Sequence, residues 1–198
     1  MDTIKEGYTR VSTVLAQWDK FGHIDREMVA RKAELGTRVH EAISNHHDNL
    51  FIPLGNKEQP YFDSYMAWEN SLTGYTIVEN EKRLYCDDLM ITGQCDAIMK
   101  FSETEEPCLI DYKTSASSSK EMWSLQAAFY HYLAVKNGFK ISNRVIFLQL
   151  DKYGKMPKVH EFIITKELQI ACMSAYNIFS YLKKWLEERE KLWQNLKS

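Results

Sequence analysis

Residues 109–115 read LIDYKTS, with an aspartate and a lysine two positions apart in an otherwise apolar run. Side chains on a strand alternate between faces, so Leu109, Asp111 and Lys113 share one face while Ile110 and Tyr112 share the other. Ionised groups are rarely buried unless paired. Two explanations compete for this pair. One is a salt bridge at the end of a strand; the other is a metal ligand beside an ammonium that works on a substrate. The rest of the chain has to separate them.

Outward from this stretch the pattern is helices, three strands, a helix, two strands and a helix. Ser12 is expected to cap a short first helix, TVLAQWDK, and Asp25 a longer one over REMVARKAELGTRVHEAISNHH. Pro60 precedes a third helical stretch, YFDSYMAWENSL. The segments YTIVENEKRLYC, LMITGQCDAIMKF and PCLIDYKT are rich in β-branched and aromatic residues and read as strands. After the serine cluster SASSS comes the helix KEMWSLQAAFYHYLAVKNG, which Gly138 ends. NRVIFLQLD and KVHEFIIT read as an antiparallel hairpin with a loop longer than two residues. From Lys166 the periodicity is helical again. This order predicts an α/β or α+β domain, a central mixed β-sheet flanked by helices, over residues 1–198.

Composition narrows the function classes without choosing among them. Hydrophobic residues make up 44% and charged residues 26%, which is ordinary for a globular chain. No apolar run approaches the roughly 20 residues that span a bilayer, so no membrane partner is expected. The N-terminus MDTIKEGYTR lacks the apolar core of a secretory signal, and Cys86, Cys95, Cys108 and Cys172 form no CxxC pair. A reducing cytoplasm is the expected setting. The net charge of −2 argues against a strongly basic nucleic-acid coat protein, though not against an enzyme whose carboxylates offset a local basic stripe.

Four further pieces stand around LIDYKTS. Gly36 and His40 lie four apart on a helix, in GTRVH. Glu81 begins EKRLY, and Asp96 follows Gly93 by three in TGQCDAI. Gln126 and Tyr130, four apart in QAAFY, share one helix face. Singly, each has a bland reading: a half-exposed helix histidine, a solvated strand glutamate, a turn aspartate, an amphipathic helix face. Together, in the order GxxxH, E, GxxD, DxK, QxxxY, they resemble the PD-(D/E)XK nuclease superfamily. The likeness is to its RecB-like exonuclease branch, which holds phage and mitochondrial genome maintenance exonucleases. It spans roughly residues 8–135 and includes the wording RVSTVL and DYKTS.

The resemblance implies a restriction-endonuclease-like core with Asp96 and Asp111 on adjacent strands. It also implies an enzyme: a metal-dependent DNA exonuclease of recombination, repair or genome processing, with a phage-infected bacterial cytoplasm as one setting. Asp96 and Asp111 would hold Mg2+ or Mn2+ with the Tyr112 carbonyl, and His40 would add a nitrogen that suits manganese. Lys113, kept charged by these anions, would orient the attacking water and stabilise the phosphate, or serve as a base once deprotonated. Gln126 would position water or substrate, with Tyr130 on the DNA side. Glu81 is taken as the motif glutamate, with Glu79 as its rival.

Arg31, Lys32, Arg38, Ser117 and Lys120 are the candidate DNA-backbone contacts. The terminal helix, with Trp185 and Trp193, is expected to pack or oligomerise. Only Cys172 follows the core, so the iron–sulfur cluster of some relatives is not expected. No GxxxxGK[ST] stretch is present, so any motor, a helicase or recombination protein, would act in trans. The rivals are a structure-specific endonuclease, a catalytically dead nucleic-acid-binding module and a metal sensor built on His46 and His47.

Overall fold

The computed structural model describes residues 4–18, 26–116 and 119–197. Asp25 and Ser117, read above as a helix cap and a DNA contact, lie outside them. The order is β1 (Thr9–Arg10), α1 (Val11–Ala16), α2 (Arg26–His47), α3 (Gln59–Glu69), β2 (Tyr75–Cys86), β3 (Ile91–Phe101), β4 (Cys108–Lys113), α4 (Lys120–Lys136), β5 (Arg144–Gln149), β6 (Lys158–Ile163) and α5 (Lys166–Lys197). The mixed α/β architecture with a central mixed sheet matches the sequence expectation. One local difference concerns Ser12. Arg10, still extended and paired with Thr92, takes the N-cap position, so α1 starts at Val11 without a side-chain cap.

The sheet runs β1-β3-β4-β5-β6, with β2 also on β3. β4 and β5 are parallel, whereas β3–β4, β2–β3 and β5–β6 are antiparallel. Both faces of the central strands are covered, whereas Val78 of β2 and Val159 and Ile163 of β6 stay exposed. Leu109, Ile98, Val145 and Phe147 pack with α1 and α4 residues such as Val14, Ala127, Phe129 and Leu133. Ile110, Tyr112, Met99 and Leu148 pack with Val39 and Ile43 of α2 and Tyr65 and Trp68 of α3. The alternation of LIDYKTS is therefore realised, with Leu109 on one side and Ile110 and Tyr112 on the other. Among the described residues, no helix is long and apolar enough to cross a membrane.

β3 has three partners but, like any strand, two edges. β2 follows one edge from Ile91 to Phe101. β1 pairs at Ile91 and Thr92, and β4 at Ala97 to Met99, so these two share the other edge. Residues 93–96, the GxxD motif, have no strand partner on that edge among the described residues, though 93–95 still pair with β2 on the other. At the same rung the strands leave regular alternation. Cys95 belongs to the α4-side core and Ala97 to the α2-side core, and Glu81 of β2 has φ +50°. A sheet that opens here exposes side chains to both of its faces.

The motif glycines make room for this. A Cβ on Gly93 would lie 2.8 Å from Tyr130 Cε1 and 2.9 Å from Leu133 Cδ1, so only glycine lets α4 approach β3 here. A Cβ on Gly36 would lie 3.3 Å from Thr114 Oγ1, at the end of β4. Gly93→Ala is expected to lower the unfolding free energy by about 1–3 kcal/mol, as overpacking of a filled core does, measured by urea denaturation. Gly36→Ala should change it little, because a helix-propensity gain of up to ~1 kcal/mol opposes the milder crowding. The reverse ranking would mean that Tyr130 yields more easily than the hydroxyl of Thr114.

Candidate active site

Five elements, α2, β2, β3, β4 and α4, bring the motif side chains together at the gap in β3. From α2, His40 Nδ1 stands 3.0 Å from Asp96 Oδ1. The other oxygen of Asp96 accepts the Tyr112 backbone N–H at 2.5 Å. Tyr112 lies just past the last β3–β4 pair, so the carboxylate supplies the acceptor that the ladder no longer provides. Continuing the register of that ladder by one step sets Asp96 opposite Asp111. Glu81 joins from β2: one ligand atom each of His40, Glu81 and Asp96 lies within 4.8 Å of the others.

The opposite side of the gap carries the opening pair. Lys113 Nζ is 2.6 Å from Asp111 Oδ2, a charge contact rather than a well-directed hydrogen bond. The ammonium also donates to Gln126 Oε1 at 3.0 Å, and Gln126 Nε2 donates to the Tyr130 hydroxyl at 2.9 Å. Lys113 lies 4.7 Å from the centre of the Phe147 ring, so its stem and head are held on three sides. Burial and the nearby Asp111 carboxylate push the Tyr130 phenol far up, which keeps it protonated.

The electrostatics are those of crowded anions. Asp111 is 4% exposed and Asp96 6%. Burial pushes the Asp111 carboxyl upward, with Asp96 adding to the effect and Lys113 opposing it. Glu81 is lifted to about 7 by burial and by Asp96. Burial would lower His40, but the Asp96 carboxylate outweighs it and raises the imidazole to about 9.

A divalent cation fits this donor set. Among the described residues Glu81 Oε1 is buried without a partner, and the group that converges here is His40, Glu81 and Asp96, two hard carboxylates around a single imidazole, while Asp111 stays paired with Lys113. His40, Glu81 and Asp96 line a cleft of about 540 Å3 with Arg10, Thr37 and Arg83.

Not every candidate from the sequence reaches this cleft: Tyr130 lines it, whereas Asp111, Tyr112, Lys113 and Gln126 are not part of its lining. Glu79 pairs with Lys82 at 3.1 Å, whereas Glu81 turns inward. Arg38 is held by the buried Glu58 at 3.3 Å, and Arg31 by Glu27 at 3.5 Å on its own helix. Lys32 and Lys120 are exposed. His46 contacts Glu69 and His47 contacts the Tyr65 hydroxyl, in a network that also includes Tyr75. Two residues were not singled out from sequence: Gln94 donates to Glu81, and Arg83 donates to Gln94. The signal was present, because Gln94 sits inside the GxxD motif and Arg83 is two positions after Glu81.

Opposed acidic strands with an adjoining lysine, on a mixed sheet between helices, define a restriction-endonuclease-like nuclease core. The chain belongs to the PD-(D/E)XK nuclease superfamily, whose family model matches residues 54–197. Among solved structures, a candidate exonuclease from Eubacterium rectale aligns with a TM-score of 0.50 at 12% identity, over 87% of this chain and 78% of that one. An alkaline exonuclease from Laribacter hongkongensis aligns with a TM-score of 0.45 at 12% identity, over 96% and 95%. No curated protein matches the sequence.

The raised acids carry a pH signature. From 4.5 to about 7, folded Glu81 keeps a proton that the unfolded chain has lost, so metal-free stability falls as pH rises through that window. The His40 contribution is fully present below 6.5 and is lost as pH climbs through about 9. Glu81→Gln removes the first titration and, by taking a nearby carboxylate away, also brings the His40 value down. The metal-free variant should melt higher than the parent chain at neutral pH and show a flatter melting profile between the two Glu81 values. Manganese should raise the melting temperature of the parent chain more than that of the variant. Identical profiles would mean that Glu81 is solvated.

Proposed function

We propose that the chain is a Mg2+- or Mn2+-dependent deoxyribonuclease, acting from DNA ends in recombination, repair or genome processing. The observation that carries this reading is the meeting, at one gap in the sheet, of Asp96 and Glu81 with His40 on one side and the Asp111–Lys113 pair on the other. Preference for strand ends rests on the motif order shared with the RecB-like branch. His40, Glu81, Asp96 and Asp111 would hold the cation, with the Tyr112 carbonyl as a further oxygen. When bound, it would polarise the phosphoryl oxygen and ease deprotonation of the attacking water.

The remaining steps belong to the chain. The Lys113 ammonium faces the negative charge that grows on the phosphate oxygens as the P–O bond to the leaving group breaks. Gln126 accepts from that ammonium and fixes its direction, and Tyr130 in turn fixes Gln126. His40 would hold the cation as a neutral imidazole, so it would release the proton it shares with Asp96 to solvent on metal binding.

The test is hydrolysis of end-labelled linear DNA and of covalently closed circular DNA, with magnesium, manganese or chelator. Linear DNA should be consumed from its ends only when a divalent ion is present, and the circle should survive. Cutting of the circle makes the protein an endonuclease, and undiminished cutting in chelator overturns the metal mechanism. Asp111→Asn should lose metal affinity and cleavage together. Lys113→Ala should keep the affinity and lose on the order of 10²–10³ in rate, as removal of one electrostatic stabiliser does. Loss of manganese binding in Lys113→Ala alone would reverse the assigned roles.

A further inference from the structure

Beyond the end of β4 the chain forms a second cleft that the cation-holding groups do not enter. Its volume is about 240 Å3, and it is lined by Tyr61, Thr114, Ser115, Lys152, Lys155 and Lys158, among others. Thr114 directly follows Lys113, so the cleft begins where β4 ends. Its floor is fixed. Leu150 donates its backbone N–H to the Lys113 carbonyl at 2.8 Å, and the buried Gln149 donates to the Ser115 carbonyl at 2.8 Å. His160 Nε2 lies 3.1 Å from the other side of the Gln149 amide.

The wall is the β5–β6 connection, LDKYGKMPK, with three lysines against one aspartate in a chain of net charge −2. That aspartate adds to the field at Lys152 but forms no ion pair with any of the three among the described residues. Asp151 Oδ1 accepts the backbone N–H groups of Tyr153 at 2.8 Å and Lys155 at 3.4 Å, which folds the turn. Among the described residues, no carboxylate comes within ion-pair distance of Lys152, Lys155 or Lys158, all of which are exposed. Tyr153 is 70% exposed, and its ring lies 4.8 Å from Lys152 Nζ. Lys120, at the start of α4, extends the positive field, since it and Lys158 both act on His160. Ammonium groups with no ion pair among the described residues, beside an open aromatic ring on a rigid floor, match the chemistry of a phosphodiester backbone with a base to stack.

We propose that this cleft binds the backbone of the nucleic-acid strand where it continues past the scissile phosphate. The proposal deepens the nuclease reading and rests on it. The lysines hold the strand in register, while Tyr153 offers a stacking surface that does not depend on sequence. Recognition is of phosphate and base plane, chemistry that DNA and RNA share.

The test compares the parent chain with the combined variant Lys152→Ala, Lys155→Ala, Lys158→Ala. All three side chains are exposed and, among the described residues, none forms an ion pair, so the variant is expected to fold. Binding is titrated in chelator, where cleavage is off, with single strands of about twelve nucleotides, a length within known site sizes. One arm uses DNA and the other RNA. Hydrolysis of bis(p-nitrophenyl) phosphate with manganese reports the catalytic centre alone, because this ester has no strand that continues past the scissile phosphate. The variant should bind oligonucleotide about tenfold more weakly, with a log–log salt slope reduced by about 2, and hydrolyse the small ester as the parent chain does.

Equal losses for DNA and RNA support readout of the shared backbone, and a loss for one alone supports the cleft and names its strand. Unchanged oligonucleotide affinity and salt slope overturn the proposal while leaving the nuclease reading intact. A parallel fall in ester hydrolysis overturns it too, by placing the lysines in the catalytic centre. If the parent chain hydrolyses nothing but the variant still loses binding, the nuclease reading falls and the cleft stands. If the parent chain binds neither strand, both fall.

Discussion

A strand has two edges, and β3 gives them to three partners. That shortage of edge organises the site. β2 takes one side entirely, β1 and β4 divide the other, and the stretch between them cannot complete a ladder. Unpaired backbone groups inside a fold cost as much as lost hydrogen bonds, so something must replace the missing partner. Asp96 does so by accepting the Tyr112 N–H, which ties β4 to β3 through a side chain at the point where backbone pairing ends. The cleft, the presence of charge at its floor and the approach of helices from both faces follow from this gap.

Charge at such a depth needs compensation. Moving an isolated carboxylate out of water costs several kcal/mol even after relaxation, so a cluster of carboxylates with no cation would disrupt the core. The chain meets this with groups drawn from opposite faces of the sheet. His40 on α2 lends a proton to Asp96, and Lys113 on β4 lies against Asp111. Neither removes the strain completely, because Glu81 and Asp111 still sit above their ordinary values. The residual crowding leaves the site ready for a divalent cation, whose binding would exchange a proton and relieve repulsion at once.

Much of this was legible in the sequence because strand parity and helix spacing are local properties. Asp111 with Lys113, and Gln126 with Tyr130, share faces by spacing alone, and the structure joins the two pairs through Lys113 and Gln126. The choice between Glu79 and Glu81 was not legible. They have the same parity, and the difference comes from the register shift after Ile77 and the positive φ at Glu81, both products of pairing with a distant strand. Arg31 and Arg38 read as a free basic face, yet Arg38 answers Glu58, which lies twenty positions away and is buried only by tertiary packing. The two-residue β1 is too short to carry any periodicity and escaped sequence reading. The lysines of the hairpin have no spacing signal either, since a turn brings them together.

The glycines show how far motif and packing are the same thing. Gly36 and His40 are one helical turn apart, so the residue that lets α2 settle on Thr114 also aims the imidazole at Asp96. Gly93 and Asp96 repeat the device on β3, where the missing side chain admits Tyr130 and the aspartate faces the gap. In each case a contact distance is set by backbone on one side and a ring or hydroxyl on the other. Such contacts are stiff, because interiors packed at crystal-like density have little room to relax. The aspartates and the lysine are thus held by close packing as well as by their mutual charge, and their positions do not have to wait for a ligand to define them. Preorganised charge of this kind gives electrostatic stabilisation its size, since no reorganisation is needed at the moment of reaction.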